Sequence, residues 1–445
     1  MLIRFSVQNY LSFSSQQTFS MAAGKYTRHK DQVVTIDGKR ILKGGIIFGA
    51  NASGKSNLIR ALRFGKRVAI NGIDATVLEN KHFRISADSY SQPGVFQYDF
   101  FVSGHFYSYG FAISYEKCGF LSEWLYICDN GKEIKIFERG VEEHIHTDLV
   151  FSGDNLQRFN IYADDVQNNV SFLHEIVRHK LQDDKEFEHF YNVLEWFNSL
   201  IIVFPQTKYY NYGGESIVLN DSTVAKYLRY FDTGIEEIKK IKKPIDEVLA
   251  FIPGNTRAGV ISDVQKGLRP ASKEKGADSV EVNFFGKRFS FSIENDQIVA
   301  DQLLMNHGNE LDLFDIEDES DGTRRLFDLI PLLHKGCKSY VIIVDELDRS
   351  FHSKLTYEYI QKFFEKTEGC HSQLIATVHD LSVMDLELLR QDEIWFIERD
   401  ENHSSKLYSL NRFKERFDRS VAKDYMLGRY GSIPNFMEDE LDEDY

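Results

Sequence analysis

The sequence predicts an α/β fold with a largely parallel central sheet, and three observations carry that prediction. Short, predominantly apolar runs at Tyr340–Val344 and Leu374–Val378 have the length and composition of strands buried on both faces. A further run, Gly44-Gly45-Ile46-Ile47-Phe48, ends in a glycine-rich loop and opens a helical pattern with Leu58, Ile59 and Leu62 on one face. Strand and helix signals alternate through the C-terminal part, the order from which parallel sheets are assembled.

The elements follow in chain order. Met1-Leu2-Ile3-Arg4-Phe5-Ser6-Val7 reads as a strand and not as a secretory signal. From Val95 to Ile113 the apolar residues alternate, and Ser103-Gly104 divides the run, which predicts an antiparallel hairpin. Trp124-Leu125-Tyr126 and Ile134-Lys135-Ile136-Phe137 add strands to it. Helical periodicity then takes over from His174 to Leu200, and Tyr227 to Phe251 reads as more helix, broken at Pro244. Val264 to Gly276, polar and lysine-rich, reads as a loop. Strands return at Val280–Phe285 and Phe289–Ile293; a helix, the two apolar strands and a last pair at Ile394–Ile397 and Lys406–Tyr408 complete the chain. Three segments result: 1–150, an inserted, mainly helical segment at 151–275, and 276–445.

Bulk properties narrow the functional classes. With 445 residues, 42% hydrophobic and 27% charged, the chain can bury more than one core. No apolar run approaches the roughly 20 residues that cross a bilayer, so no membrane role is expected. The net charge of −15 argues against broad coating of nucleic acid. Lys239-Lys240-Ile241-Lys242-Lys243 still offers one local basic patch for DNA, set against the plainer reading of a solvated helix face. Four cysteines without CxxC spacing read as reduced thiols of a cytoplasmic protein, and nothing near Cys370-His371 completes a metal site. The acidic tail Glu438–Asp444 reads as a solvated, disordered end.

The chemistry concentrates in five places. Gly49-Ala50-Asn51-Ala52-Ser53-Gly54-Lys55-Ser56 fits GxxxxGK[ST], with the strand it needs before it and, opening toward Asn57, the helix it needs after it. Such a loop turns backbone N–H groups around phosphate oxygens; Lys55 then reaches the β- and γ-phosphates of ATP, and Ser56 ligates Mg²⁺. Asp345 and Glu346 follow four apolar residues, at the carboxyl end of a buried strand. Asp345 suits the Mg²⁺ shell and Glu346 suits a general base for water. Ser320-Asp321-Gly322-Thr323 precedes that strand by about twenty residues; an ordinary helix N-cap has the same residues. Leu347-Asp348-Arg349-Ser350 stands directly after the acidic pair, and His379 follows the strand ending at Val378. Gln92 and Gln97 lie between the loop and the hairpin but in no diagnostic context.

Taken in this order, these motifs resemble the stand-alone ABC-type ATPases of the AAA15 group, which includes RloA-like and AbiLi-like proteins and is related to OLD-family proteins and SMC/Rad50 heads. The resemblance runs nearly end to end. It includes Ile3-Arg4-Phe5-Ser6-Val7-Gln8-Asn9-Tyr10-Leu11-Ser12-Phe13, Tyr107–Phe111, Glu319–Leu326, Asp345–His352, Asp392–Phe396 and Gly428-Arg429-Tyr430-Gly431-Ser432-Ile433-Pro434. It implies an SMC/Rad50-like P-loop ATPase head in which 151–275 is an inserted lid. It also implies that Ser320–Thr323 is the signature meeting the γ-phosphate held by another protomer. Asp348 becomes the D-loop residue crossing a head-to-tail homodimer or higher homo-oligomer, and His379 becomes the switch histidine. Asp321 replaces the usual second glycine. Members of the group commonly act in anti-phage defence beside a separately encoded nuclease or Toprim effector, and this chain leaves no room for a Toprim domain after its last strands.

Overall fold

The computed structural model describes residues 1–129, 131–141, 144–179, 181, 184–207, 221–250, 254–268, 279–284, 287–294, 297–309, 311–334, 339–413 and 420–433. By compactness the chain forms two units. One comprises Met1–Ile202, Lys338–Leu347 and Thr367–Tyr445, and the other Val203–Cys337 and Asp348–Lys366. These limits differ from those expected at 150 and 275. The acidic tail and the lysine-rich stretch beyond 268 lie outside the described residues.

In chain order the first unit holds β1 (Leu2–Gln8), β2 (Gln17–Ser20), β3 (Val33–Ile36), β4 (Lys39–Leu42), β5 (Gly44–Phe48), α1 (Lys55–Asn71) and α2 (Ala75–Leu78). Then come β6 (Gly94–Val102), β7 (His105–Ser114), β8 (Gly119–Asp129), β9 (Lys132–Gly140), α3 (Gly153–Asp165), α4 (Phe172–Arg178), α5 (Glu188–Ser199) and β10 (Leu200–Val203). The second unit holds α6 (Asp221–Tyr230), β11 (Glu237–Lys243), α7 (Ile245–Ala250), α8 (Gly254–Gly267), β12 (Ser279–Phe284), β13 (Lys287–Glu294), β14 (Gln297–Asn306) and α9 (Asp321–His334). The chain continues through β15 (Val341–Val344) in the first unit and α10 (Ser353–Lys366) in the second. It returns to the first for β16 (Gln373–Thr377), β17 (Ile394–Arg399), β18 (Ser405–Ser409) and α11 (Val421–Met426).

Two six-stranded sheets organise the first unit. The predicted parallel sheet has the order β10-β15-β16-β5-β17-β18; β15, β16, β5 and β17 pair in parallel and β18 closes the edge antiparallel. Every residue of β5, β15 and β16 is buried, as their apolar runs require. The other sheet, β2-β1-β6-β7-β8-β9, is antiparallel and contains the predicted hairpin, with Val102 paired to His105. Helix α1 packs on it: the Tyr98 hydroxyl donates to Leu62 O at 2.9 Å, and Phe64 stands 5.1 Å from Phe96, ring to ring. Helix α5 stacks Trp196 on Phe100 at 3.8 Å and 10°. Buried Gln373 joins the sheets. Its amide accepts from Leu2 N at 2.6 Å and donates to Leu2 O and Leu42 O at 2.9 and 2.8 Å, so it carries no unmet polar cost.

The second unit is built on the antiparallel sheet β11-β14-β13-β12 over a core of Val248, Val264, Leu268, Phe289, Phe291 and Ala300. Helix α9 lies against α6 and α10, and the Tyr359 hydroxyl of α10 donates to Leu329 O at 3.0 Å. Part of the expected helix over 227–251 is a strand. Ile235, Ile238 and Ile241 have helical spacing, but the backbone of Glu237–Lys243 pairs residue by residue with Asn306–Ala300, and that ladder overrides the spacing. The basic cluster therefore lies on an edge strand and not on a helix face. Lysines there also discourage strand-to-strand association. Lys242 pairs with Glu294 at 2.7 Å and Lys243 with Glu247 at 3.4 Å.

Candidate functional site

Burial of β5 on both faces carries the chain to the end of the sheet at Phe48, where Gly49–Gly54 turns it into α1. Gly54 sits at φ +117°, and a Cβ there would lie 2.1 Å from Ser405 Oγ; conformation and space both require glycine. Side chains hold the loop from outside. Ser405 Oγ donates to Ser53 O at 2.6 Å and lies 2.8 Å from the Ser12 hydroxyl, while Asn57 Nδ2 donates to Ser12 Oγ at 3.0 Å. Lys55 Nζ donates to Gly49 O at 2.7 Å and Ala50 O at 3.1 Å, which holds its ammonium at the loop that begins the helix. A cation, a glycine-bounded loop and the positive end of a 17-residue helix coincide, an arrangement suited to phosphate.

The acidic pair arrives beside it on β15. Asp345 is buried, and its Oδ1 accepts from Ser56 Oγ at 3.1 Å and from Thr377 Oγ1 at 2.7 Å. Thr377 Oγ1 in turn accepts from Glu346 N at 2.8 Å, so one threonine of β16 positions both acidic residues. Glu346 has φ +50°, a backbone conformation that non-glycine residues seldom adopt. Val378 N donates to Ile47 O at 3.0 Å, which places exposed His379 at the end of β16, next to β5. Asp345 and Ser56 offer oxygen ligands alone, the donor set that suits Mg²⁺. Among the described residues, no cluster of three or more His, Cys, Asp or Glu side chains forms another metal site.

Ser320, Asp321, Gly322, Thr323 and Asp348 belong to the second unit. Ser320 caps α9: its Oγ accepts from Thr323 N at 3.1 Å and lies 2.9 Å from Thr323 Oγ1. Arg324 is ion-paired with Asp321, which offsets the charge at that position. A Cβ on Gly322 would lie 2.7 Å from Ser350 O, so the start of α9 adjoins the turn that follows Asp348.

Sequence reasoning gave no supporting role to Ser12, Thr377, Ser405 or Ser432. Ser12 lies in the turn between β1 and β2, Thr377 and Ser405 lie at strand ends, and Ser432 lies in the segment Gly428–Ser432. Gln97 donates to Asp99 Oδ1 and Ser108 Oγ, each at 3.1 Å, on the antiparallel sheet, and Gln92 is exposed.

A family model described as "AAA domain, putative AbiEii toxin, Type IV TA system" matches residues 46–385. No curated protein matches the chain. Among solved structures, similar chains include the Smc head bound to the C-winged helix domain of ScpA. That chain has 11% identity and a TM-score of 0.44, over 92% of this chain and 97% of that one. The SMC head domain from Thermotoga maritima has 14% identity and a TM-score of 0.34, over 92% and 98%. The Smc head with an extended coiled coil from Pyrococcus furiosus, bound to the C-terminal domain of ScpA, has 12% identity and a TM-score of 0.39, over 92% and 96%. Because the family model spans well over half of the sequence, from the strand before the phosphate loop to beyond His379, this chain belongs to that AAA-domain family.

Proposed function

We propose that this protein binds and hydrolyses ATP as an ABC-type ATPase. The observation that carries the reading is the meeting of Ser56 with Asp345 at 3.1 Å, which joins a phosphate-binding loop to an acidic strand end. Gly49–Asn57 wrap the phosphates, Lys55 neutralises them, and Ser56 and Asp345 hold Mg²⁺. Bound there, the metal would offset charge on the phosphate oxygens. Glu346, next to Asp345 at the end of β15, takes the proton of the attacking water. His379 contacts the γ-phosphate. Ser320–Thr323 and Asp348 act in trans in a head-to-tail homodimer.

In the cell, the reading is a cytoplasmic sensor of an anti-phage system that controls a separately encoded effector, a nuclease or Toprim protein. The description of the matching family as part of a TA system supports a partnered role. Clamping of duplex DNA has less support, because Lys242 and Lys243 already face Glu294 and Glu247. The test is Glu346→Gln. It should bind ATP like the wild type and hydrolyse it at least about 10²-fold more slowly, since the phosphate site survives and the base is lost. Unchanged turnover would remove Glu346 from the mechanism. Co-expression with the neighbouring gene under phage challenge tests the output; protection that persists in Lys55→Ala contradicts nucleotide control.

A further inference from the structure

The C-terminal segment Gly428–Ser432 has no part in the chemistry above, yet it touches the phosphate loop. Ala50 N, in the second position of that loop, donates to Ser432 O at 2.9 Å. The same carbonyl accepts from the Tyr425 hydroxyl of α11 at 2.7 Å. Ser432 is buried; its N donates to Glu398 Oε2 at 3.2 Å and its Oγ donates to Ile397 O. Glu398 and Ile397 lie on β17, whose Phe396 pairs with Phe48, the residue just before the loop. Phe396 also stacks on Tyr425 and Tyr430 at 5.5 and 5.6 Å. The contacts thus close a ring: β5, phosphate loop, Ser432, β17 and β5 again. The turn tolerates only glycine at 431, where φ is +72° and a Cβ would lie 2.5 Å from Glu398 Oε2 and 2.9 Å from the Tyr408 hydroxyl.

We infer that Ser432, held by Glu398, is a positioning residue for nucleotide binding: it fixes the outer side of the phosphate loop before ATP arrives. A loop already bonded on its outer side loses less conformational freedom on binding phosphate, so the clasp lowers the dissociation constant without touching the ligand. Released from Ser432 O, Ala50 N must find another acceptor and the loop samples more conformations.

This rests on the ATP-binding reading, and the experiment separates the two. Equilibrium binding of a fluorescent ATP analogue is measured on the full chain for the wild type, Lys55→Ala, Glu398→Leu and Glu398→Gln, with melting curves for each. Glu398→Leu removes the acceptor of Ser432 N and should weaken binding about fivefold to tenfold, the worth of one lost hydrogen bond. Turnover at saturating ATP should change less than affinity does. Glu398→Gln keeps an acceptor oxygen and should bind within about twofold of the wild type. Gly431→Val, which forces the turn open, should weaken binding at least as much as Glu398→Leu. Wild-type affinity in both Glu398→Leu and Gly431→Val, or equal losses in Glu398→Leu and Glu398→Gln, overturns the clasp. A wild type that binds no better than Lys55→Ala overturns the phosphate-loop reading itself, and the clasp with it.

Discussion

At the scale of single residues, the site depends on side chains that do no chemistry. Asp345 and Glu346 were legible because two acids after four apolar residues can hardly be anything but a strand end. Thr377 was not legible, since a threonine ending a β-strand has ordinary propensity there and its role exists only once β15 and β16 lie side by side. Thr377→Val keeps the shape and removes both hydrogen bonds, leaving Glu346 N without its acceptor and taking from Asp345 one of the two hydroxyls its Oδ1 accepts from. Stability should fall by about 1–3 kcal/mol, and the Mg²⁺ concentration for half-maximal hydrolysis should rise about tenfold or more. Thr377→Ser should restore both. A magnesium titration decides the matter: an unshifted midpoint in Thr377→Val would mean that Asp345 needs no such support.

At the scale of elements, patterns of period two and of buried runs were legible, because β5, β15 and β16 bury both faces and the large apolar residues of the hairpin alternate. Spacing misled where tertiary pairing won, as at Glu237–Lys243, whose isoleucines repeat every three residues while its backbone pairs with β14. Helix α1 also carries a titrating group. Lys66 donates to Leu200 O at 2.7 Å, and burial pushes its pKa down to about 8 from an ordinary value near 10.5. The unfolded chain therefore holds more protons than the folded one between those values, so the Lys66 contribution to stability rises with pH across that window and is flat below it. Urea unfolding of the wild type and Lys66→Met at pH 8, 9 and 10 should show the wild type gaining on the variant. The gain should be at most about 1.4 kcal/mol per pH unit. A constant difference across the window would mean that Lys66 titrates as an ordinary solvated lysine.

At the scale of the whole molecule, chain order and compactness diverge. The sequence suggested three consecutive segments, but the second unit takes Asp348–Lys366 from the middle of the C-terminal stretch, and the first reclaims the chain at Thr367. Such a crossing leaves no mark in composition, since α9, β15 and α10 are each locally ordinary. It does divide the motifs: the phosphate loop, Asp345, Glu346 and His379 fall in one unit, and Ser320–Thr323 with Asp348 in the other. The proposal assigns the second set to the partner's nucleotide, as an isologous pair of subunits allows. The most direct test is ATP turnover by Lys55→Ala and Ser320→Arg subunits, each alone and then mixed. Each alone should be nearly inactive, and the mixture should regain activity, because a mixed dimer assembles one intact site from an unaltered Lys55 of one subunit and an unaltered Ser320 of the other. A mixture no more active than its components, or a Ser320→Arg protein at full activity alone, would contradict a site shared between two copies.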